Sequence, residues 1–233
     1  MNEHYLSNIE LYYCSSSSIT QQYLHLTDEE FYHAKKVMRH SIGDKIFATD
    51  GKGKIFEGRI ENINKDSIKA ELVKVYNYSN RLSNFTFCIP NLKNPDRFKF
   101  ALEKCTELGV TNFIIFNSER SVSKGFNLER INKLLLSAAK QSLQAFLPTI
   151  KILNSISLFN DYDSQKILFE QNSNYKIADM KFDNSKKYFM IFGPEGGFTE
   201  KEISEINPSM ILNLSQNRLR AETAVVKAAS LIS

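Results

Sequence analysis

The sequence predicts an α/β protein in two parts: a small β-rich module, then a mostly parallel sheet flanked by helices. Three observations carry that expectation. Five apolar runs (Phe85 to Pro90, Phe113 to Phe116, Lys166 to Phe169, Tyr188 to Phe192, Met210 to Leu214) are interspersed with segments of helical periodicity. Strands that are apolar on both faces and separated by helices form buried parallel sheets. Residues 1–75, by contrast, hold short strands and turn signals with a single helix. Lastly, Tyr188 to Phe192 stops at Gly193-Pro194-Glu195-Gly196-Gly197, and a capped helix starts directly after it.

In the first part, Thr27-Asp28-Glu29-Glu30 has the form of a capping box, with Leu26 and Phe31 at the staple positions. The helix it opens runs to about Met38 and ends in Lys35, Lys36, Arg39 and His40. Two readings of that basic end stand: cations complementing the helix dipole, or contacts to RNA phosphate. Lys45 to Asp50 and Lys54 to Ile60 are strands joined by the hairpin signal Gly51-Lys52-Gly53. Ser67 to Val73 alternates as a half-buried strand. Short strands with lysine-bearing turns point to a small barrel. Tyr76 to Ser83 is polar and aperiodic, and reads as the linker (76–83) before a second domain, 84–233.

In the second part, Asn94 caps a helix with Pro95 at its first position and an apolar stripe of Phe98, Leu102, Cys105 and Leu108. Gly109 suits the position just past its end. Leu128 to Ala145 marks a longer helix that stops before Pro148. Thr199-Glu200-Lys201-Glu202 is a second capping box, with Phe198 and Ile203 as its staple. The last helix, Glu222 to Ile232, carries Ala221, Ala224, Ala228 and Ile232 on a small-residue face.

Composition narrows the class. Of 233 residues, 42% are hydrophobic and 24% charged, which is ordinary for a globular chain. There is no run of membrane-span length and no signal-peptide form at the N-terminus. Cys14, Cys88 and Cys105 are odd in number and scattered, which fits a reducing cytoplasm and no disulfide framework. The histidines, His4, His25, His33 and His40, all fall early, which argues against a metal site elsewhere. A net charge of +4 permits nucleic-acid binding without requiring it.

Two loops at the carboxyl ends of strands carry the unusual residues: Gly193 to Gly197, and Ser215 to Thr223. Open α/β sheets bind ligands at that end of their strands, so the two loops can flank one pocket. The glycine loop lacks the dinucleotide and P-loop patterns, and Glu195 sets a negative charge where a phosphate would lie. On these residues alone, it is either a place of close backbone approach to a ligand or a tight turn with none.

Gly193-Pro194-Glu195-Gly196-Gly197 together with Leu219-Arg220-Ala221-Glu222-Thr223-Ala224 resembles the ribosomal RNA uridine-N3 methyltransferases of the SPOUT superfamily. Further matching blocks are His33, Val37 and Arg39, then Lys104 to Val110, and Ser118-Glu119-Arg120-Ser121, so the likeness spans nearly the whole chain. The resemblance implies a PUA-like RNA-binding barrel over 1–75 and a SPOUT methyltransferase domain over 84–233 with a C-terminal trefoil knot. It also implies a cytoplasmic homodimer that binds S-adenosylmethionine and methylates N3 of a uridine in small-subunit (16S) ribosomal RNA of the assembled subunit. Two other readings stand beside it: the same fold acting on a different RNA, and a ribosome-assembly RNA-binding protein without catalysis.

The resemblance assigns the cofactor to Phe169, Glu170, Phe192, Gly193, Pro194, Glu195, Gly196, Gly197, Leu212, Leu214, Ser215, Leu219 and Thr223. Candidate RNA contacts are Lys35, Lys36, Arg39, Lys52, Arg120 and Lys140. The catalytic candidates are Arg220 and Glu222. Arginine stays charged and cannot serve as a base, so Arg220 is expected to stabilise the uracil anion, with Glu222 orienting it through a bidentate pair. The chain departs from the family at Gln144-Ala145-Phe146-Leu147, where an Arg-x-Arg segment is usual, and at Ser215 and Asn217. An RNA contact is therefore missing at the first departure, or supplied by Lys140 and Gln141.

Overall fold

A computed structural model of the chain describes residues 6–121 and 127–233; His4 lies outside them. The chain packs as two units. One is Met1–Asn80 with Leu136–Leu147, and the other is Arg81–Leu135 with Pro148–Ser233.

The first unit contains β1 (Leu11–Tyr13), β2 (Tyr23–Thr27), α1 (Asp28–Tyr32, continued by a π-helical turn His33–Val37), β3 (Lys45–Thr49), β4 (Lys54–Ile63) and β5 (Ser67–Asn77). The sheet order is β1-β3-β4-β5-β2, with β1 parallel to β3 and the other pairs antiparallel. Register shifts in β4 at Glu57/Gly58 and Ile60/Asn62 curl this sheet. Gly58 sits inside the curl, where a Cβ would lie 3.1 Å from that of Ala70. The curl brings the two edges together: the Cys14 thiol, just past β1, donates to the His25 carbonyl of β2 at 3.4 Å. The expected small barrel is thus a curled five-stranded sheet around Tyr12, Leu24, Leu26, Ile46, Ile60 and Ile68.

Three sequence expectations change here. The Thr27 capping box does not form. Thr27 makes no cap bond, Asp28 adopts a left-handed φ of 52°, and Glu30 bonds Lys140 Nζ at 2.7 and 2.8 Å instead of reaching back. Tyr76 and Asn77 belong to β5 rather than to a linker, and the Tyr76 hydroxyl donates to Glu57 at 2.8 Å. Leu136–Leu147 packs with the first unit, because its end lies on the hairpin. Thr49 Oγ1 and the Gly53 N–H both donate to the Ala145 carbonyl, at 3.0 and 2.9 Å. A Cβ on Gly51 would come within 2.7 Å of Leu147, and one on Gly53 within 2.5 Å of the Phe146 ring. Those hairpin glycines give room to the segment that departs from the family pattern.

The remaining elements are β6 (Phe85–Pro90), α2 (Pro95–Glu107), β7 (Asn112–Phe116), α3 (Leu128–Gln141), β8 (Thr149–Leu153), β9 (Gln165–Phe169), β10 (Tyr188–Ile191), α4 (Glu200–Ile206), β11 (Met210–Leu212) and α5 (Ala221–Ile232). The six-stranded sheet of the second unit is wholly parallel, in the order β11-β9-β10-β6-β7-β8. One face packs Phe87, Ile115, Met190 and Leu212 beneath α2 and α5; the other packs Cys88, Leu168 and Ile191 against Phe159, Phe198 and Ile206. Asn94 caps α2 by accepting from the Asp96 and Arg97 amides, and Gly109 takes φ +92° past its end, as the sequence indicates. The short or edge strands β1, β2 and β8 were not legible in the sequence.

Candidate active site

Because the second sheet is parallel, its loops emerge together at the carboxyl ends of the strands. Three neighbouring strands, β11, β9 and β10, end at Leu212, Phe169 and Ile191, and the loops that follow them enclose a cleft of about 470 Å³. Its floor is aromatic. Phe169 and Phe192 stack at 4.9 Å between centroids with 21° between planes, and Phe87 lies 5.4 Å from Phe192. Glu170 lines the same cleft, and desolvation raises its carboxyl above the usual range.

The glycine loop is held from both sides. The Gly197 amide donates to the Pro194 carbonyl at 2.9 Å, closing a turn that needs φ +70° at Gly197. Beyond it the Thr199 capping box forms in full. Glu202 N donates to Thr199 Oγ1 at 3.2 Å, and Thr199 N donates to the Glu202 carboxylate at 2.9 Å. Phe198 and Ile203 pack in one cluster, as a staple requires.

The second loop is shaped by Asn213, which the sequence reading missed. Its amide donates to the Tyr175 carbonyl at 2.6 Å, its carbonyl accepts from the Ile177 amide at 3.2 Å, and its side chain bonds both the Ser215 amide and the Gln171 carbonyl. An asparagine directly after an apolar run is a turn signal that could have marked it.

Most predicted residues meet in this cleft. Phe169, Glu170, Phe192, Gly193, Pro194, Glu195, Gly197, Leu214, Ser215, Leu219 and Arg220 all line it, joined by Gln171, Asn213, Asn217, Arg218, Ala221 and Ala224. The others stand apart. Leu212 is buried in β11, Thr223 is exposed on α5, and Gly196 turns its carbonyl to the Arg120 guanidinium at 2.8 Å. The expected Arg220–Glu222 pair is corrected: the Glu222 carboxylate, 8% exposed, faces Arg97 Nε of α2 at 3.5 Å, and Arg220 is exposed. The second Glu222 oxygen is buried without a hydrogen-bond partner.

Among the RNA candidates, Lys36 and Arg39 are exposed and Lys35 half-buried around one turn of the first unit, beside exposed Val37 and Met38. Arg39 holds a left-handed φ of 60°. Lys52 is exposed and donates to Ser16 Oγ at 3.0 Å. Lys140 is committed to Glu30. Among the described residues, no group of histidine, cysteine, aspartate and glutamate side chains is placed to hold a metal, and no helix is long and apolar enough to cross a membrane.

Comparison with known families fits this geometry. The family described as "RNA methyltransferase domain" matches residues 80–233, which includes every wall of the cleft. The chain belongs to this RNA methyltransferase family. The accompanying "RNA methyltransferase PUA domain" matches residues 26–73, within the curled sheet. A curated relative, ribosomal RNA small subunit methyltransferase E 1 of Borreliella burgdorferi, is 31% identical over 89% of this chain and 90% of its own length. Ribosomal RNA small subunit methyltransferase E of Bacillus subtilis is 27% identical over 89% of this chain and 88% of its own. The solved structure of a ribosomal RNA small subunit methyltransferase E from Neisseria gonorrhoeae bound to S-adenosyl methionine superimposes with a TM-score of 0.84 at 26% identity, covering 96% of both chains. The likeness to that solved structure extends over the curled sheet and the parallel sheet alike.

Proposed function

We propose that the protein is an S-adenosylmethionine-dependent methyltransferase acting on N3 of a uridine in small-subunit ribosomal RNA of the assembled subunit. The observation that carries this reading is the 470 Å³ cleft, in which an aromatic floor, a side-chain-poor glycine loop and Arg220 share one space. The residues fit the methyl donor. A cleft of this size takes a nucleoside-sized ligand, the Phe169 and Phe192 rings give apolar burial, and Gly193 and Gly197 leave backbone groups within reach. Bound S-adenosylmethionine supplies an electrophilic methyl group.

The chain's own residues do the rest. Glu170 offers carboxyl oxygens to donor hydroxyls or amines within the cleft. Uracil N3 lies on the pairing edge, so the base enters only when unpaired or flipped out. N3 becomes nucleophilic once its proton passes to solvent water, and the Arg220 guanidinium stabilises the resulting anion by opposite charge. Glu222 serves the start of α5 through Arg97.

In the same reading the PUA-like module, which runs through β5 and takes in Leu136–Leu147, presents Lys35, Lys36 and Arg39 to RNA, with Lys52 as a further cation. Arg81–Leu135 and Pro148–Ser233 form the SPOUT domain. Its segment after β11 passes through the loop joining β9 to β10 as a trefoil knot, a reading supported by the bonds of Asn213 to both Tyr175 and Ile177. The protein works in the cytoplasm as a homodimer. Mass spectrometry of ribosomal RNA tests the function: a deletion strain lacks one uridine methyl group on small-subunit RNA, and the wild-type gene restores it. Arg220→Ala is expected to lower methyl transfer about 100- to 1000-fold while leaving donor affinity unchanged. An unchanged methylation pattern on deletion sinks the reading.

A further inference from the structure

We infer that Arg120 and Glu202 are positioning residues of the glycine loop, fixing it in the form that receives the methyl donor. The inference rests on the methyltransferase reading above. Its basis is a clamp between two loops far apart in sequence. The turn Ser118-Glu119-Arg120-Ser121 is fixed on itself, since Ser118 N donates to Ser121 Oγ at 2.9 Å and Ser121 Oγ donates to the Ser118 carbonyl at 2.8 Å. From this turn the Glu119 amide donates to Glu202 Oε1 at 2.8 Å, while Glu202 Oε2 accepts from Thr199 N at 2.9 Å. One carboxylate, 2% exposed, therefore joins the turn to the end of the glycine loop.

The second arm is Arg120. Its Nη1 donates to the Gly196 carbonyl at 2.8 Å, and its stem lies where a Cβ on residue 196 would come within 3.2 Å. Gly196 is the one loop residue between Gly193 and Gly197 that does not line the cleft. Its carbonyl is held by Arg120 while Glu195 and Gly197 on either side line the cleft. Arg120 thus orients the loop from behind.

The test uses the full chain carrying Arg120→Met, which keeps the apolar stem over Gly196 and removes the donor, with Arg120→Lys as the conservative variant. Expected are a rise of about tenfold in S-adenosylmethionine Kd and KM, a kcat within about twofold, and unchanged affinity for small-subunit RNA. Arg120→Lys falls between Arg120→Met and wild type. Glu202→Gln, which can accept from only one of the two amides, shows the same KM-dominated loss. In the absence of donor, hydrogen exchange at Gly196 to Thr199 quickens in Arg120→Met. Unchanged donor affinity with weakened RNA binding overturns the inference and makes Arg120 an RNA contact. If wild-type protein does not bind S-adenosylmethionine, the methyl-donor reading falls; faster exchange in Arg120→Met then still supports the clamp, and unchanged exchange removes it as well.

Discussion

Replacing Arg97 by methionine strands a buried charge at the start of the helix that carries Arg220. In the native protein the Glu222 side chain is 10% exposed, one oxygen lies 3.5 Å from Arg97 Nε, and the other has no partner. Breaking a fully buried pair on one side costs about 3–5 kcal/mol, whereas exposed pairs are worth about 0–1 kcal/mol. The Arg97 side chain is 37% exposed and the separation is long for a charged hydrogen bond, so the expected loss falls between, at about 1–2 kcal/mol. The amides of the first turn of α5 still favour a carboxylate at Glu222, which keeps the figure from rising further. For a chain of this size that is a fall in Tm of about 2–8 °C. Glu222→Gln in the Arg97→Met background is expected to restore most of it, because a neutral amide needs no counter-charge. Thermal denaturation of the four proteins in this cycle gives the coupling directly. A coupling below about 0.5 kcal/mol would refute the reasoning, since sites without contact reach that level by chance. A parallel cycle between Arg220 and Glu222 should give no coupling, because the two side chains do not meet.

Gly197→Ala should lower stability by about 1–2 kcal/mol purely through backbone strain: φ is +70°, yet an added Cβ meets nothing within 4 Å. A fall in Tm with no change in the aromatic near-ultraviolet signal checks this, and an unaltered Tm contradicts it. Glu57 links the first unit to pH. The Lys45 hydrogen bond and then the Tyr76 hydroxyl hold its carboxyl below the ordinary value of 4.5, so the folded state binds fewer protons than the unfolded one. Its contribution is whole above the unfolded value and disappears as pH falls through the folded one. Tyr76→Phe should cost about 1–2 kcal/mol at neutral pH and flatten the fall in Tm between about pH 5 and 3; an equally steep fall in the variant counts against this account.

The two capping boxes show which parts of this fold a sequence can specify. Both have a threonine followed three residues later by glutamate, with apolar residues at the staple positions. The one at Thr199 closes as written because its glutamate finds its nearest donors locally and one further amide, that of Glu119, asks nothing of its geometry. The one at Thr27 does not close, because Glu30 meets an ammonium group 110 residues away in sequence, and a doubly bonded ion pair outweighs one backbone amide. Local pattern proposes, and the partner brought in by tertiary packing decides. In the same way the central strands were legible from unbroken apolar runs buried on both faces, whereas β1, three residues long, offers too little pattern to be distinguished from a loop.

The site divides along the same line. Its walls are built from backbone, and backbone access leaves a mark in sequence as glycine and proline at strand ends; that mark singled out the two loops, and the resemblance to the family named most of the lining. Its supports are side chains reaching across elements, and they leave no such mark. Nothing in the spacing of Arg97 and Glu222 shows that α2 and α5 lie side by side, and nothing in Ser118 to Ser121 shows that the turn sits behind the glycine loop. The expected Arg220–Glu222 pair was drawn from two residues close in sequence on one helix start. Side chains two apart on a helix point in different directions, so the carboxylate turned inward to α2 and left the guanidinium at the cleft. That separation has a chemical consequence. In the function proposed above, an arginine not paired with a carboxylate has its N–H donors available to an anion that enters the cleft, as stabilising a deprotonated pyrimidine would require.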